Sequence, residues 1–395
     1  PDLPPPLQAA QPREGYPIGT CPAISSLRAI LRGKIQSGGP LGFADFMSVV
    51  LYEPGLGYYA RGTRQVGRAG DFFTSVSVGP LFGKLLARRF LRDWRERGEP
   101  TRWRIIECGA HDGTLAADVL EEISTLAPRA FEGLEYGICE PLETLRSAQR
   151  ETLQRFQQTT RIEESAADLA ETPLPGIAFG NELLDALPFH VVGFHEGRWV
   201  ECRVDLESGD EFVWRNDEIG DDALRAAVGW LGTGFPEGYR TEVRTGYRAF
   251  LEPLTMALEN GLMIWPDYGF ARSDYYHPAR KTGTLRTFSK HKAAEDPLLD
   301  PGAADITAHV DFTAVAEAAL SLGGRPVVFR NQGSWLTENA RDWLIAQEGA
   351  PNPEAMRQFQ TLVHPAHLGG CFQILELSWN PSTPADPGLD GRLFG

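Results

Sequence analysis

The chain has 395 residues, 42% of them hydrophobic, which suits one large globular domain with insertions or two domains. Its Lys+Arg 38 and Asp+Glu 53 give a formal net charge of −15, which disfavours a nucleic-acid or anionic-membrane surface. Five well-separated cysteines and no long apolar run predict a cytoplasmic protein, or one of the mitochondrial matrix if a targeting peptide is missing from this chain.

The first hundred residues are predicted to form a lead followed by a helical region. Prolines crowd residues 1–20, so this stretch is expected to be a flexible lead. Helical periodicity runs over 24–35 and begins again at 43–50. The aromatic, glycine-rich segment from Tyr58 to Ser75 is expected to be a lid loop, so we predict a helical region with a lid over 21–100.

From residue 101 onward, strands are predicted to alternate with helices. Apolar runs at 103–108, 134–139 and 177–180 each end in a turn, and helical patterns follow the first two. This alternation is typical of right-handed βαβ units. We therefore predict an α/β fold with a Rossmann-like, mostly parallel sheet over 101–395.

Two insertions are expected to interrupt this domain. Alternating residues on both sides of Glu196 and Gly197 indicate a β-hairpin in the first insertion, at about 190–260. The second, at about 270–310, is predicted to be a long loop, and so long a loop in a compact domain is usually functional or mobile.

The turn after the first strand is a candidate ligand site. The strand ends near Glu107 and leads through Gly109, Ala110 and Gly113 into a helix, and glycines let a backbone approach a ligand closely. Open α/β sheets bind ligands outside the carboxyl ends of their strands. The spacing Glu-x-Gly-x-x-x-Gly is a shortened form of the turn in S-adenosylmethionine methyltransferases, but an ordinary βα turn explains it equally well.

Two further acidic residues fit a cofactor that carries a nucleoside. Glu140 ends the second strand, where an acidic side chain can hold a ribose diol; a surface Glu before a Pro turn is the alternative. Asp168 could meet an adenine amino group, although helix capping accounts for it equally well.

Asn181, Glu182 and Asp185 leave the third strand together at the same end of the sheet. Glu182 and Asp185 are three residues apart, so on a helical turn they would share a face and could bind a guanidinium bidentately. The alternative is helix capping by Asn181, with Glu182 near the positive end of the helix dipole.

Motifs for a metal or a covalent nucleophile are weak. His364-x-x-His367 has the spacing of a ligand pair, but Pro365 and the lack of a third ligand nearby favour a loop. No Gly-x-Ser-x-Gly elbow or Cys-His signature appears. We therefore predict no metal.

Eight short segments carry a resemblance to a known family: 70–75, 80–83, 107–118, 181–188, 267–269, 283–286, 301–312 and 331–333. In this order they resemble the MidA-like family of S-adenosylmethionine-dependent methyltransferases, which includes the mitochondrial complex I assembly-factor arginine methyltransferase. The likeness covers roughly residues 24 to 380. The chain has Gly109-Ala110-His111-Asp112-Gly113 where the family usually has Gly-Pro-Gly-Arg-Gly, and Val76-Ser77 in place of Pro-Glu.

The resemblance implies a class I methyltransferase core with S-adenosylmethionine as cofactor and, as the expected reaction, methylation of a protein arginine. Methylation of a small-molecule oxygen or nitrogen and a non-catalytic assembly factor are the alternatives. A protein substrate is expected, without nucleic acid or membrane insertion, and no oligomeric state is predicted. The residues implied are Glu107, Gly109, Ala110, Gly113, Glu140, Asp168 and Asn181 for the cofactor, Glu182 and Asp185 for catalysis, and Asp71, Thr74, Asp267, Tyr268, His309 and Asp311 for the substrate.

Overall fold

A computed structural model describes residues 22–61, 74–207, 211–289, 292–294, 296–349 and 351–395. The predicted flexible lead, most of the predicted lid loop and Asp71 lie outside these described residues. The strands are β1 (Trp103–Cys108), β2 (Leu134–Cys139), β3 (Thr160–Glu163), β4 (Leu174–Phe179), β5 (His190–His195), β6 (Arg198–Glu207), β7 (Glu211–Asp217), β8 (Arg240–Val243), β9 (Leu258–Phe270), β10 (Arg286–Ser289), β11 (Lys292–Ala294), β12 (Asp305–Thr307), β13 (Val310–Asp311), β14 (Arg325–Asn331) and β15 (Phe372–Ser378).

The α-helices cover both faces of the central sheet and extend to either side of it. None of the described helices combines the length and the apolar character needed to cross a bilayer. The helices are α1 (Pro22–Gly38), α2 (Phe43–Tyr52), α3 (Leu81–Glu96), α4 (Thr114–Leu126), α5 (Pro128–Glu132), α6 (Glu143–Thr152), α7 (Asp222–Gly229), α8 (Tyr247–Ala257), α9 (Arg272–Tyr275), α10 (Phe312–Ser321), α11 (Gln332–Asn339), α12 (Arg341–Gly349), α13 (Pro353–Val363), α14 (Leu368–Cys371) and α15 (Leu389–Leu393).

The central sheet has the strand order β14-β15-β9-β4-β1-β2-β3, with β13 paired to β9. Strand β1 pairs in parallel with β2 and β4, and β4 pairs in parallel with β9, whereas β15 is antiparallel to both neighbours. The prediction of a mostly parallel α/β sheet is therefore confirmed. Because the strand order reverses at β1, the carboxyl ends of β1, β2 and β4 border a crevice of the kind that binds ligands in such sheets.

Strand β1 is apolar along most of its length because helices cover both of its faces. All six of its residues are buried. Trp103 and Ile105 pack into the core shared with α3 and α4, whereas Ile106 and Cys108 pack into the core shared with α8 and α10. Parallel strands buried on both faces read as continuous apolar runs, which is why the sequence pattern located this strand.

An antiparallel sheet of order β7-β6-β5-β8 is inserted between β4 and β9. The predicted hairpin is confirmed, since β5 and β6 pair antiparallel around Glu196 and Gly197, whose φ angles are 50° and 77°. Positive φ at both central residues matches the right-handed twist of a two-residue hairpin. Helices α1 and α2 pack on this sheet, so the N-terminal region is anchored by the insertion.

The predicted long loop at about 270–310 instead contains secondary structure, which corrects the sequence prediction. Helix α9 and strands β10 to β12 fall in it, and β10 pairs antiparallel with β11 and β12. The buried carboxylate of Glu242 anchors the segment, because it accepts hydrogen bonds from the backbone of Thr284 and Leu285 and from the Tyr275 hydroxyl. Because Glu242 lies about forty residues earlier in the chain, its hydrogen bonds produce no periodic pattern in the segment that they stabilise.

The short edge strand β3 was also missed by the sequence prediction. Its four residues, Thr160–Glu163, are half-buried or exposed, so they show no apolar run. It pairs in parallel with β2 and completes the crevice-bearing edge of the sheet.

Candidate active site

Two adjoining cavities open at the carboxyl ends of β1, β2 and β4. The larger cavity has a volume of about 460 Å³ and the smaller cavity about 290 Å³, and Gly109, His111 and Glu182 line both. The larger cavity is further lined by residues that include Tyr52, Tyr59, Cys108, Cys139, Glu140, Leu142, Leu145, Ser165, Ala166, Leu183, Phe250 and Leu254. The smaller cavity is further lined by Thr74, Val76, Ser77, Glu107, Ala110, Asp112, Thr114, Leu115 and Asn181.

The turn between β1 and α4 forms the wall between the cavities. Gly109 has φ 69°, and a Cβ atom there would lie 2.8 Å from Leu183 Cδ1, so only glycine fits without a shift. His111 also has positive φ, at 47°, and its carbonyl accepts a hydrogen bond from Gln149 Nε2 at 2.9 Å. Gly113 caps the start of α4 and lines neither cavity, so its predicted cofactor contact is replaced by a role in the turn.

Glu140 lies at the end of β2 and faces the larger cavity. Its carboxylate accepts a hydrogen bond from the Leu142 backbone N–H at 2.9 Å. Burial raises the pKa of Glu140 to about 7, because the charged form loses hydration that the hydrogen bonds from the Leu142 amide and the Gln149 side chain do not fully replace. A carboxylate with capacity to accept further hydrogen bonds therefore lines this cavity.

Glu107 lies at the end of β1, on the side of the smaller cavity. The Tyr136 hydroxyl donates a hydrogen bond to its carboxylate at 2.6 Å. Burial raises the pKa of Glu107 to about 7, and the tyrosine hydrogen bond opposes that rise. Both acidic strand ends that the sequence singled out thus line a cavity.

Asp168 lies at the surface and performs the capping role that was its alternative. It closes a capping box, in which the Ser165 backbone N–H and hydroxyl donate to Asp168 Oδ2 at 3.0 and 3.2 Å. Ser165 and Ala166, rather than Asp168, line the larger cavity. The predicted contact between Asp168 and an adenine amino group is therefore corrected, since the carboxylate faces its own turn.

The Asp267 carboxylate stabilises the turn after β4 by accepting hydrogen bonds from its backbone amides. One of its oxygens accepts the backbone N–H groups of Leu183, Leu184 and Asp185 at 3.1, 2.7 and 3.2 Å, and the other accepts that of Tyr268 at 2.8 Å. The side chain is 0% exposed, and burial, followed by the charge of Asp185, raises its pKa. The predicted substrate contact of Asp267 is corrected: four backbone amides occupy this carboxylate.

The same turn corrects the geometry expected for Glu182 and Asp185. Glu182 has φ 51°, and the 3₁₀ turn begins only at Leu184, so the two carboxylates do not share a helical face. Three amides converging on one oxygen of Asp267 impose this tighter turn. Glu182 lines both cavities, whereas Asp185 lines neither.

Asn181 orients the Glu182 side chain. Asn181 Nδ2 donates to Glu182 Oε1 at 2.9 Å. Asn181 Oδ1 is buried and has no hydrogen-bond partner among the described residues, and the residue lines the smaller cavity. A buried amide oxygen without a partner is costly, so it is suited to accept a hydrogen bond from a bound ligand.

Arg244 is a site-supporting residue that the sequence analysis missed. Its buried guanidinium donates to the carbonyls of Asp185, Leu187, Ala308 and His309 at 2.5 to 3.1 Å. The turn after β4 is therefore held by Asp267 through its amides and by Arg244 through its carbonyls. These partners lie 57 to 65 residues from Arg244 in the sequence, so no local sequence motif predicts the contacts.

The other predicted substrate residues divide into three groups. Thr74 lines the smaller cavity. Tyr268 and His309 lie beside each other, with ring centroids 6.3 Å apart, and line neither cavity. Burial lowers the pKa of His309 to about 4, so its imidazole is neutral. Asp311 caps α10 and pairs with Arg272, which replaces its predicted substrate contact.

Aromatic residues outside the sheet close the larger cavity; Tyr59 belongs to the predicted aromatic lid segment, whereas Tyr52 and Phe250 were not predicted as site residues. The Tyr52 hydroxyl donates to the Ala186 carbonyl at 2.9 Å, and its ring stacks on Tyr59 with centroids 5.4 Å apart. Tyr59 donates to Asp305 Oδ1 at 2.7 Å, and Phe250 of α8 contributes to the wall. The N-terminal region is thereby joined to the turn that carries Glu182.

The residues present fit S-adenosylmethionine. The larger cavity offers Glu140 to a ribose diol and apolar side chains such as Leu142 and Leu145 to an adenine ring. The smaller cavity offers the unpartnered Asn181 oxygen, together with Glu107, to an ammonium group. The two cavities meet at Gly109 and Glu182, where a molecule extending through both would pass.

Comparisons with known proteins agree with this fit. A family of S-adenosyl-L-methionine-dependent methyltransferases, Methyltransf_28, matches residues 85–328. The protein arginine methyltransferase NDUFAF7 homolog, mitochondrial, of Drosophila melanogaster is 30% identical over 386 residues, which cover 89% of this chain and 84% of that protein. Protein arginine methyltransferase NDUFAF7, mitochondrial, of Homo sapiens is 29% identical over 404 residues, covering 92% and 86% of the two chains.

A solved structure shares this fold over most of the chain. The crystal structure of a COG1565 superfamily member from Burkholderia thailandensis bound to S-adenosyl-homocysteine has a TM-score of 0.80 and 30% identity. The match covers 92% of this chain and 95% of that one. The resemblance seen in the sequence is thus confirmed, and the chain belongs to the MidA-like family of S-adenosyl-L-methionine-dependent methyltransferases.

Proposed function

We propose that this methyltransferase transfers its methyl group to an arginine side chain of a protein. The observation that carries the proposal is the Glu182 carboxylate, which lies where the two cavities meet and is oriented by Asn181. Support comes from the relatives in Drosophila melanogaster and Homo sapiens, which are named protein arginine methyltransferases. Because these relatives are named mitochondrial, a mitochondrial location is part of the proposal, and the cytoplasmic location predicted from the cysteines gains no support from them.

Glu182 acts in this proposal as the proton acceptor. A free guanidinium stays protonated, with a pKa above ~12, so the nitrogen that receives the methyl group must lose a proton during the reaction. The bound cofactor supplies an electrophilic methyl group on a sulfonium. Glu182 holds the guanidinium by a charge-assisted hydrogen bond and takes the proton. Asp185, which lines neither cavity, contributes negative charge from the same turn.

The positive φ of Glu182 supports this role. A residue other than glycine in the left-handed region costs of order 1 kcal/mol and persists where the surroundings enforce it. Asp267 and Arg244 enforce it here from two sides. A carboxylate held in one orientation before the acceptor arrives reduces the ordering cost of the reaction.

Glu140 is proposed to bind the cofactor ribose. We expect Glu140→Ala to weaken S-adenosylhomocysteine binding about ten- to a hundredfold, because a hydrogen bond to a charged group contributes ~1.5–3 kcal/mol. Isothermal calorimetry measures the dissociation constant, and Glu143→Ala, an exposed carboxylate on α6, is the matched control. An unchanged dissociation constant in Glu140→Ala would remove this residue from the cofactor site.

The raised pKa of Glu140 also predicts a pH dependence. Ribose hydroxyls donate to the ionised carboxylate, so binding releases a proton below the pKa of about 7, and affinity should increase with pH up to that value. From pH 6 to pH 8 the gain should approach about tenfold, following the ionised fraction. Glu140→Gln should flatten this dependence; if the slope survives in that variant, it arises from Glu107, whose pKa burial also raises to about 7.

Asp168 provides a contrast, since its carboxylate only caps a turn. Asp168→Ala should lower the free energy of unfolding by about 0.5–2 kcal/mol, as loss of a cap does, and leave the S-adenosylhomocysteine dissociation constant within about twofold. Chemical denaturation and calorimetry measure the two quantities. A tenfold loss of affinity without loss of stability would return Asp168 to the adenine site.

The function is tested by methyl transfer from radiolabelled S-adenosylmethionine into a cell extract. We expect label in protein, recovered as methylarginine after acid hydrolysis, and transfer by Glu182→Gln that is at least about a hundredfold slower. Label recovered only in small molecules would replace the protein substrate by a small-molecule one. Cofactor binding without transfer into any fraction would favour the assembly-factor alternative.

A further inference from the structure

Two cysteines face each other in the wall of the larger cavity. Cys108 is the last residue of β1 and Cys139 the last residue of β2, and the two stand in register in this parallel pair. Both side chains pack on the same face of the sheet, and both line the cavity. Neither takes part in a disulfide.

The two thiols are neighbours on adjacent strands. Hydrogen bonding with Cys139, followed by burial, raises the pKa of Cys108 well above its ordinary value, so Cys108 keeps its proton. Cys108 is 5% exposed, whereas Cys139 is half-buried. A reagent that enters the cavity therefore meets Cys139 first and finds Cys108 behind it.

The backbone geometry suits a bond between them. Neighbouring strands lie ~4.8 Å apart, which falls within the ~4.4–6.8 Å range of Cα separations in disulfides. The register in this part of the sheet is continuous over six residue pairs, so the two Cβ atoms point to the same side. No rearrangement of the strand pairing is needed for the sulfurs to meet.

We propose that Cys108 and Cys139 form a redox-active dithiol, which a hydroperoxide oxidises to a disulfide that weakens cofactor binding. Cys139 sulfur attacks one peroxide oxygen, the O–O bond breaks, and water leaves, so that Cys139 becomes a sulfenic acid. Cys108 sulfur then attacks the Cys139 sulfur, the S–O bond breaks, and a second water leaves. Two thiols and one hydrogen peroxide give one disulfide and two waters, and the two electrons lost by the thiols reduce the peroxide.

The disulfide would change the wall that the cofactor contacts. It draws the sulfurs to ~2.05 Å and fixes both side chains in a new dihedral angle. Gly109 directly follows Cys108 and Glu140 directly follows Cys139, so both proposed cofactor contacts are bonded to the residues that move. A bound cofactor would fill this cavity, so it should protect both thiols from oxidation by peroxide.

The test treats the full chain with hydrogen peroxide, with and without S-adenosylhomocysteine, and maps the linked peptides by mass spectrometry. We expect a 108–139 disulfide with loss of two hydrogen atoms, formed at least about fivefold more slowly with the ligand bound. Calorimetry on the oxidised protein should show about tenfold weaker S-adenosylhomocysteine binding, restored by dithiothreitol. Cys139→Ser should lose this response to peroxide, whereas Cys371→Ser, which removes an exposed thiol elsewhere, should keep it.

Three outcomes would overturn the proposal. Peroxide could leave both thiols free, it could drive Cys139 to a sulfinic acid without linking it, or the linked protein could bind S-adenosylhomocysteine as tightly as the reduced one. Each readout is binding or mass, so the result does not depend on the identity of the methyl acceptor. Cys108→Ser should also lose the response to peroxide; if this buried variant fails to fold, Cys139→Ser still decides the question.

Discussion

Glu182→Gln should lower kcat for methyl transfer by about two orders of magnitude or more and leave the S-adenosylhomocysteine dissociation constant within about twofold. Glutamine keeps the size of the side chain and its hydrogen bond from Asn181, but it cannot accept the proton that the guanidinium must lose. The decrease in rate affects the chemical step, because Glu182 accepts the proton only while the guanidinium nitrogen is being methylated. Radiolabelled transfer at saturating cofactor measures kcat, and calorimetry measures binding.

Two variants make this prediction specific to Glu182. Glu171→Gln removes the same charge from an exposed carboxylate away from both cavities and should keep full activity. Asp185→Asn should lower kcat less than Glu182→Gln does, because Asp185 lines neither cavity and acts through its charge. Full activity in Glu182→Gln would contradict the proposed proton transfer, and loss of cofactor binding in it would place Glu182 in the cofactor pocket instead.

Asp267→Ala should abolish S-adenosylhomocysteine binding and lower the free energy of unfolding by about 3 to 5 kcal/mol. The change leaves the backbone N–H groups of Leu183, Leu184 and Asp185 without the oxygen that gathers them. Buried donors without partners are costly, so the turn would open and carry Glu182 away from both cavities. For a chain of this length the loss corresponds to a fall in Tm of about 5 °C, measured by calorimetry.

Asp267→Asn refines this test. Its amide oxygen can still accept from the turn, but its NH₂ group would face the Tyr268 N–H, where the carboxylate now accepts. We therefore expect an intermediate loss of stability and affinity. Asp274→Ala, in the exposed part of the following helix α9, is the control and should change neither quantity. If Asp267→Ala binds the cofactor normally, the turn does not depend on this carboxylate.

The sequence by itself determined the buried strands β1, β2 and β4 of the central sheet and the two acidic residues at strand ends, but not the edge strand β3. Strands buried on both faces must be apolar throughout, so β1, β2 and β4 were visible as apolar runs. Glu107 and Glu140 end such strands, and the carboxyl ends of neighbouring parallel strands must open on one side, so their convergence on adjoining cavities followed from topology. The family resemblance added the cofactor, which the comparisons support.

Only the tertiary structure decided what the other polar residues do. Asp267 and Asp311 lie in motifs that suggested substrate contacts. Asp267 instead accepts hydrogen bonds from the amides of a turn more than eighty residues earlier in the chain, and Asp311 caps α10. Arg244, Tyr52 and Cys139 acquired their roles from partners on other elements. A side chain's periodicity and local spacing report which face of its own element it occupies. They do not report which distant backbone groups need its hydrogen bonds, because burial and partner geometry arise only when the elements pack together.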